Sequence, residues 1–180
     1  FKTNIMASTK WVIDPMHSEV TFKVRHLMIS TVTGSFKVFD GQAETDDEEF
    51  RSIKNIEFKA DVKSIDTNNE QRDTHLKSAD FFSAEEHPYL EFKADSYNSA
   101  DSKLTGTLKI RGTEKPVTLD VDFGGTVVDG YGQTKAGMTV SGKISRKEFG
   151  LVWSQVTETG SVVVSDDVRM SAEVQFIKQS

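Results

Sequence analysis

The sequence predicts an all-β fold, an eight-stranded antiparallel barrel with one short helix. Apolar and polar residues alternate with a period of two in eight separate segments, which is the pattern of half-buried strands. Turn-forming residues separate several of these segments, and only one segment has the residue pattern of a helix. Strands with one apolar and one polar face need a shared interior on one side and water on the other.

The alternation can be followed along the whole chain, with the apolar residues at even positions in every segment but the sixth. In the third segment, for example, the charged Lys59 lies between Phe58 and Ala60. The eight predicted strands are, in chain order, 20–24, 32–38, 56–62, 90–94, 104–110, 117–123, 138–144 and 168–176.

Hairpin turns are predicted at Gly124-Gly125, at Asp129-Gly130 and over residues 98–103, which favours antiparallel neighbours. A closed barrel leaves no exposed strand edges. A sandwich of two sheets has the same pattern and is the structural alternative.

One segment, residues 66–80, predicts a helix of two or three turns because capping residues and acidic side chains come at its start. Its apolar side is thin, chiefly Leu76 and Ala79, and Phe81 and Phe82 are expected to anchor its exit. The helix is therefore predicted to lie over an end or flank of the barrel as a lid.

Composition excludes several functions. The net charge of −6 gives no basic surface for a nucleic acid, and no apolar run is long enough to span a membrane. The absence of cysteine excludes disulfides, thiolate metal sites and a cysteine nucleophile. The four histidines lie in different segments without metal-ligand spacing, so no metal and no cofactor are predicted.

The predicted inward face mixes large phenylalanines with glycine and alanine, so the interior either holds a cavity or is filled by interdigitating side chains. It carries almost no charge, and an interior ligand should therefore be mainly hydrocarbon. His26 and Arg146 share the inward parity at strand ends. They either meet a polar head group or are satisfied by carboxylates such as those of Asp14, Asp73 and Glu148.

Residues 1–9 are predicted to be a disordered leader or cloning remnant, and residues 10–178 the domain. No secretory signal is visible, which favours a cytoplasmic location on the sequence shown, or a periplasmic one if a signal peptide was removed upstream.

Several stretches resemble the YceI-like polyisoprenoid-binding proteins of bacteria. The resemblance covers residues 10–177, and the order and spacing of its stretches are specific. These stretches are 11–27, Gly34-Ser35-Phe36, 62–69, 72–82, 106–112, 115–119 and 144–151. The resemblance implies a lipocalin-like barrel that encloses a long amphiphile, often as a homodimer, with no reaction firmly assigned.

The leading hypothesis is non-catalytic binding, carriage or sequestration of a polyisoprenoid, a quinone precursor or a fatty-acid-like lipid. Leucine at Ala94 and Gly106 is expected to block the cavity without unfolding the barrel. The candidate ligand-binding residues are Phe22, Val24, His26, Phe36, Phe58, Leu76, Phe92, Leu108, Phe123, Met138, Arg146 and Trp153.

Two alternatives belong to other classes. One is an enzyme of isoprenoid or lipid metabolism that uses His26 or His75 as an acid–base group at the barrel mouth. The other is a packed barrel that acts through its surface in a stress response.

Overall fold

The structure is a computed structural model that describes residues 8–27, 29–46, 50, 53–97, 100–153 and 164–179. Within them lie eleven strands, one α-helix and three short 3₁₀ turns. The helix α1 is Glu70–Lys77, and the 3₁₀ turns are Pro15–His17, Val62–Ser64 and Arg146–Phe149. The strands are β1 (Thr9–Ile13), β2 (Glu19–His26), β3 (Ser30–Phe36), β4 (Phe39–Thr45), β5 (Ile53–Asp61), β6 (Ile65–Asp66), β7 (Tyr89–Ser96), β8 (Lys103–Ile110), β9 (Thr113–Val128), β10 (Thr134–Ser145) and β11 (Val164–Lys178).

The strands form a closed antiparallel barrel, as predicted, and not a sandwich. The hydrogen-bonded order runs β1-β4-β5-β7-β8-β9-β10-β11, and the pairing of β1 with β11 closes this ring of eight. Three of the eight strands are extended by a further strand beyond a bend: β1 by β2, β4 by β3 and β5 by β6. The extensions keep the order of the strands that they extend, because β11 pairs with β2 as well as β1, β2 pairs with β3, and β3 pairs with β6.

Three of the eight walls are therefore bent strands. At the first bend, Pro15 opens a 3₁₀ turn and the side chain of Asp14 accepts a hydrogen bond from the N–H of Met16.

The second bend, between β3 and β4, corrects the predicted second strand. Val38 is 58% exposed, although its even number predicted an inward side chain. The strand ends at Phe36, and in β4 the inward residues are the odd-numbered Gly41, Ala43 and Thr45. Alternation did not find β1, which has only five residues, or β4, whose buried residues are glycine, alanine and threonine.

Gly124-Gly125 does not form a turn, which corrects a second prediction. Both residues lie inside β9, where Phe123 pairs with Met138 and Gly125 with Gly137, so that Gly124 is an extra residue in a β-bulge. Gly125 has φ +107°, a conformation that suits glycine at a bulge. The hairpin turn lies further on, at residues 129–133, where the N–H of Asp129 donates to the carbonyl of Gln133 over 2.9 Å.

Two other predicted boundaries fall partly outside the described residues. Residues 98 and 99 of the predicted turn at 98–103 lie outside them, and so do residues 1–7 of the predicted leader. Thr9 already pairs with Thr45, so the barrel begins by residue 9.

α1 confirms the predicted helix. Asn69 caps its first turn by accepting a hydrogen bond from the N–H of Arg72 at 3.0 Å. No residue of the helix is fully buried. Polar contacts tie it to the barrel instead, since the buried Thr67 donates through its N–H to Asp73 over 2.9 Å and accepts a 2.8 Å bond from Nε of Arg72.

No helix in the described part of the chain is long and apolar enough to cross a membrane.

Candidate ligand site inside the barrel

The barrel interior is not completely filled: it contains two apolar cavities, one following the other along the barrel axis. The first has a volume of about 120 Å³ and the second of about 70 Å³. The walls expose almost only carbon, because they consist of the inward side chains of the strands. Of the two interpretations of the inward face, the structure therefore supports a cavity.

The first cavity is walled by strands on all sides and is closed at its outer end by Phe50. The ring of Phe50 packs edge-on against Trp11 at 4.9 Å between centroids, and against Phe176 at 5.3 Å. Trp11 is fully buried, and its Nε1–H donates to the hydroxyl of Thr45 over 2.9 Å. This end is a dry aromatic plug.

The second cavity is closed by elements that are not strands. Leu76 of α1 lies in its wall together with Phe81 and Phe82, which follow the helix. Phe82 also packs edge-on against Phe36 at 6.1 Å between ring centroids. The predicted anchoring of the helix by the two phenylalanines is thus present.

Arg146 is buried beside this second cavity, with only 3% of its surface exposed. Its guanidinium donates to four backbone carbonyls, those of Leu151, Trp153, Val164 and Ser165, at 2.6–3.2 Å. These carbonyls precede and follow residues 154–163, so one side chain joins the chain on both sides of that segment. Burial lowers the pKa of Arg146, and the nearby carboxylate of Asp166 opposes this effect.

Asp166 is held ionised at the same end. Ser145 donates its hydroxyl to one carboxylate oxygen over 2.6 Å, and the N–H of Lys147 donates to the other over 3.0 Å. The hydrogen bond from Ser145 is the main reason that the pKa of Asp166 lies below its ordinary value.

A polar pair with two aromatic neighbours lies at the outer side of α1. Nε2 of His75 is 2.8 Å from a carboxylate oxygen of Asp80, and the imidazole packs edge-on against the rings of Phe81 and Trp153 at 5.1 and 4.9 Å. The side chains of His75 and Asp80 are 39% and 54% exposed. This pair therefore remains accessible to water next to an apolar cavity.

The structure divides the twelve predicted ligand-binding residues into groups. Four line the first cavity, namely Phe58, Phe92, Leu108 and Met138. Five line the second, namely Phe22, Val24, Phe36, Leu76 and Arg146. His26 and Trp153 lie near the second cavity without forming its wall, because His26 pairs with Val164 and Trp153 contacts Phe81.

Phe123 lies in neither wall. It is 44% exposed at the rim, where its ring stacks on Phe50 at 5.8 Å. Arg146 contributes carbon atoms to the wall of the second cavity, because this wall exposes no polar atoms and the guanidinium is hydrogen-bonded to backbone carbonyls. The hydrogen bonds of its guanidinium go to backbone carbonyls and not to the carboxylates of Asp14, Asp73 or Glu148.

Sequence reasoning missed the plug formed by Phe50. The residue follows the acidic run Asp46-Asp47-Glu48-Glu49 and belongs to no alternating segment. The available signal was the single aromatic residue that follows a run of acidic residues. A large apolar side chain next to such a run is best explained by burial elsewhere in the fold.

The expectation that leucine at Ala94 and Gly106 would block the cavity is wrong. Neither residue lines the first or the second cavity. A Cβ at Gly106 would overlap the carbonyl oxygen of Lys93 and lie 2.6 Å from the ring of Phe92, so a side chain there would separate β7 from β8.

No group of three or more histidine, aspartate or glutamate side chains suited to a metal ion occurs among the described residues.

Comparisons with known proteins agree on one family. The model of the YceI-like domain matches residues 11–176. A UPF0312 protein of Staphylococcus epidermidis is 38% identical over 169 residues, covering 93% of this chain and 97% of that protein. A UPF0312 protein of Staphylococcus aureus is 37% identical with the same coverage.

Solved structures show the same fold. The YceI protein of Campylobacter jejuni is 33% identical with a TM-score of 0.73, covering 87% of this chain and 90% of that one. A polyisoprenoid-binding domain from Saccharophagus degradans has a TM-score of 0.65 at 14% identity and covers 97% of this chain and 100% of that one. With its closed barrel and these matches over nearly its whole length, the chain belongs to the YceI-like domain family.

Proposed function

We propose that the protein binds the hydrocarbon chain of a long amphiphile inside its barrel and carries or sequesters it without chemical change. The observation that carries this proposal is the pair of successive apolar cavities. A dry apolar interior binds hydrocarbon because each buried methylene contributes about 0.8 kcal/mol. The proposed function needs no cofactor.

The polar end of the ligand is proposed to lie at the α1 end. An ionised head group cannot enter either cavity, since no polar wall atom is available to replace its water. His75, Asp80 and Trp153 offer the nearest accessible polar and aromatic groups to the second cavity. The ligand's tail would extend from there toward Phe50.

A relative supports the ligand class. The Saccharophagus degradans domain is named as polyisoprenoid-binding, and it shares the fold with this chain. Polyisoprenoids, quinone precursors and fatty-acid-like lipids all meet the requirement for a long apolar chain.

The test is native mass spectrometry of the freshly purified protein, followed by organic extraction of what it retains. Ala172 lies in the wall of the first cavity, and Thr107 is an exposed residue on the outer face of β8. Ala172→Phe should therefore reduce the retained lipid strongly and Ala172→Leu in part, whereas the matched control Thr107→Phe should retain it fully. Equal retention by all variants, or a protein that never carries lipid, overturns the proposal.

Catalysis remains the second candidate because the geometry of His75 and Asp80 suits an acid–base pair, with 2.8 Å between nitrogen and oxygen. A catalyst would change its ligand. If cargo incubated with the wild type changes mass, and cargo incubated with His75→Gln does not, the protein is an enzyme and not a carrier.

We also propose a homodimer, which would form along β9. Within the described residues, the contacts of β9 on the β8 side end at Val121, whose N–H donates to the carbonyl of Ser102 over 2.9 Å, so residues 122–128 of β9 pair with β10 alone. Two such edges can pair with each other about a twofold axis, and Val127 and Val128 are 64% and 67% exposed there. Sedimentation should show a dimer for the wild type and for the control Val38→Lys, and a monomer for Val127→Lys; a monomeric wild type overturns the dimer.

A further inference from the structure

Two residues belong to the walls of both cavities, Leu90 on β7 and Met170 on β11. Along β11 the wall of the first cavity contains Val174 and Ala172, Met170 lies at the boundary, and Val168 lies in the second cavity. Leu90 and Met170 therefore form a partition across the barrel.

The cavity volumes make this partition important. An apolar cavity of about 150 Å³ holds a benzene molecule. The first cavity, of about 120 Å³, has room for a group of roughly that size or slightly smaller, and the second, of about 70 Å³, for less. A chain longer than a few carbons must therefore occupy both cavities and pass between Leu90 and Met170.

The two partition residues differ in their freedom to move. Leu90 is 3% exposed and lies opposite Ala60 in the ladder between β5 and β7. Met170 is only half-buried, although it points into the barrel, so part of its surface faces the cavities. It is unbranched with three rotatable bonds, which lets it refill an altered space with little strain.

The neighbours of Met170 in the two ladders differ in kind. Phe22 lies opposite it on β2 and Gly142 opposite it on β10. The ring of Phe22 packs directly over Gly34, and the end of the aliphatic side chain of Leu119 packs over Gly142, 2.5 Å from where a Cβ would be. A leucine changes rotamer more easily than a packed aromatic ring does, so Met170 can move toward β10 when Leu119 moves with it.

We infer that Met170 determines the length of the hydrocarbon chain that the barrel accepts, by separating the two cavities in one rotamer and joining them in another. The inference rests on the proposed function, and it names the residue that sets specificity within that function.

The experiment measures the Kd of fatty acids with 6, 10, 14 and 18 carbons by calorimetry. While methylenes enter a cavity, each should tighten binding roughly fourfold. In the wild type, this gain in affinity with each added methylene should be interrupted at the chain length at which the tail of the acid reaches the partition. In Met170→Ala it should continue without interruption, and in Met170→Phe it should stop there for all longer acids.

Met138→Ala is the matched control, because Met138 lines the first cavity alone. It removes the same side chain, and it should change the affinity only of acids long enough to enter the first cavity, without changing the chain length at which the gain is interrupted. Thermal unfolding establishes that each variant is folded, and Met170→Phe alone tests the inference if Met170→Ala does not fold.

The failures of the two proposals are distinguishable. If acids bind but Met170 variants and Met138→Ala show the same dependence on length as the wild type, the inference about Met170 is overturned and the binding function stands. If no acid binds the wild type or any variant, the binding function itself is overturned, and the inference with it.

Discussion

The two ends of the barrel are closed in different ways. At the first cavity, strands and the ring of Phe50 complete an apolar plug, and a buried hydrogen bond joins Trp11 to Thr45. At the second cavity, a helix without buried residues and a guanidinium bound to four carbonyls complete the wall. The first end depends on apolar packing, whereas the second depends on hydrogen bonds between distant parts of the chain.

The difference indicates where the protein can open. Removing Phe50 from its pocket exposes aromatic surface, while moving α1, which has no fully buried residue, breaks polar contacts around Thr67 and withdraws Leu76 from the cavity wall. Entry of a ligand at the α1 end therefore requires less free energy than entry past Phe50.

The largest expected effect tests the polar end. Arg146→Met keeps the volume but leaves four carbonyls without their donor, which should lower the free energy of unfolding by about 3–5 kcal/mol. Urea unfolding measures this, with Lys147→Met, an exposed neighbour, as a control expected to change little. A small loss for Arg146→Met would show that the second end does not depend on these bonds.

A smaller effect is expected for the buried hydrogen bond between Trp11 and Thr45 at the apolar end. Thr45→Val has nearly the same shape but leaves Nε1 of Trp11 without this acceptor, which should cost about 1–3 kcal/mol in urea unfolding. Thr126→Val, at an exposed position, is the control. If Thr45→Val is as costly as Arg146→Met, the contrast between the two ends is wrong.

The smallest effect concerns pH, because both ends have carboxylates with a depressed pKa, Asp14 and Asp129 at the first and Asp166 at the second. Burial opposes ionisation of Asp14, but hydrogen bonds led by that from His17 at 2.7 Å outweigh it and lower its pKa from 3.8. A carboxylate whose pKa is lower in the folded than in the unfolded protein stabilises the fold at pH values above its pKa in the unfolded protein. This contribution is lost as the pH falls through its pKa in the folded protein. Stability should thus decline below about pH 4.

Asp14→Asn and Asp166→Asn should each flatten this decline in chemical unfolding measured between pH 7 and pH 3. Their effects should add in the double variant, since they lie at different ends of the barrel. A decline that is unchanged in the double variant would show that other groups cause it.

The regular walls of the barrel could be predicted from the sequence, and its irregular parts could not. Phe92 and Leu108 were found because alternation fixes which side of a strand faces the interior, and they pair in the structure. Gly124-Gly125 was misinterpreted because a bulge and a turn use glycine for the same backbone freedom. The donors of Arg146 meet carbonyls 5–19 residues away, and local sequence does not encode such contacts.

The pairing of β1 with β11 has a consequence for how the chain folds. These are the first and last strands in chain order, and Trp11 pairs with Lys178. The ring cannot close until the last strand has been synthesised and has crossed nearly the full length of the chain, which makes closure a slow, non-local step. Until then the interior lies open along one seam, and the folding intermediate exposes to the cell the same apolar surface that the mature barrel hides.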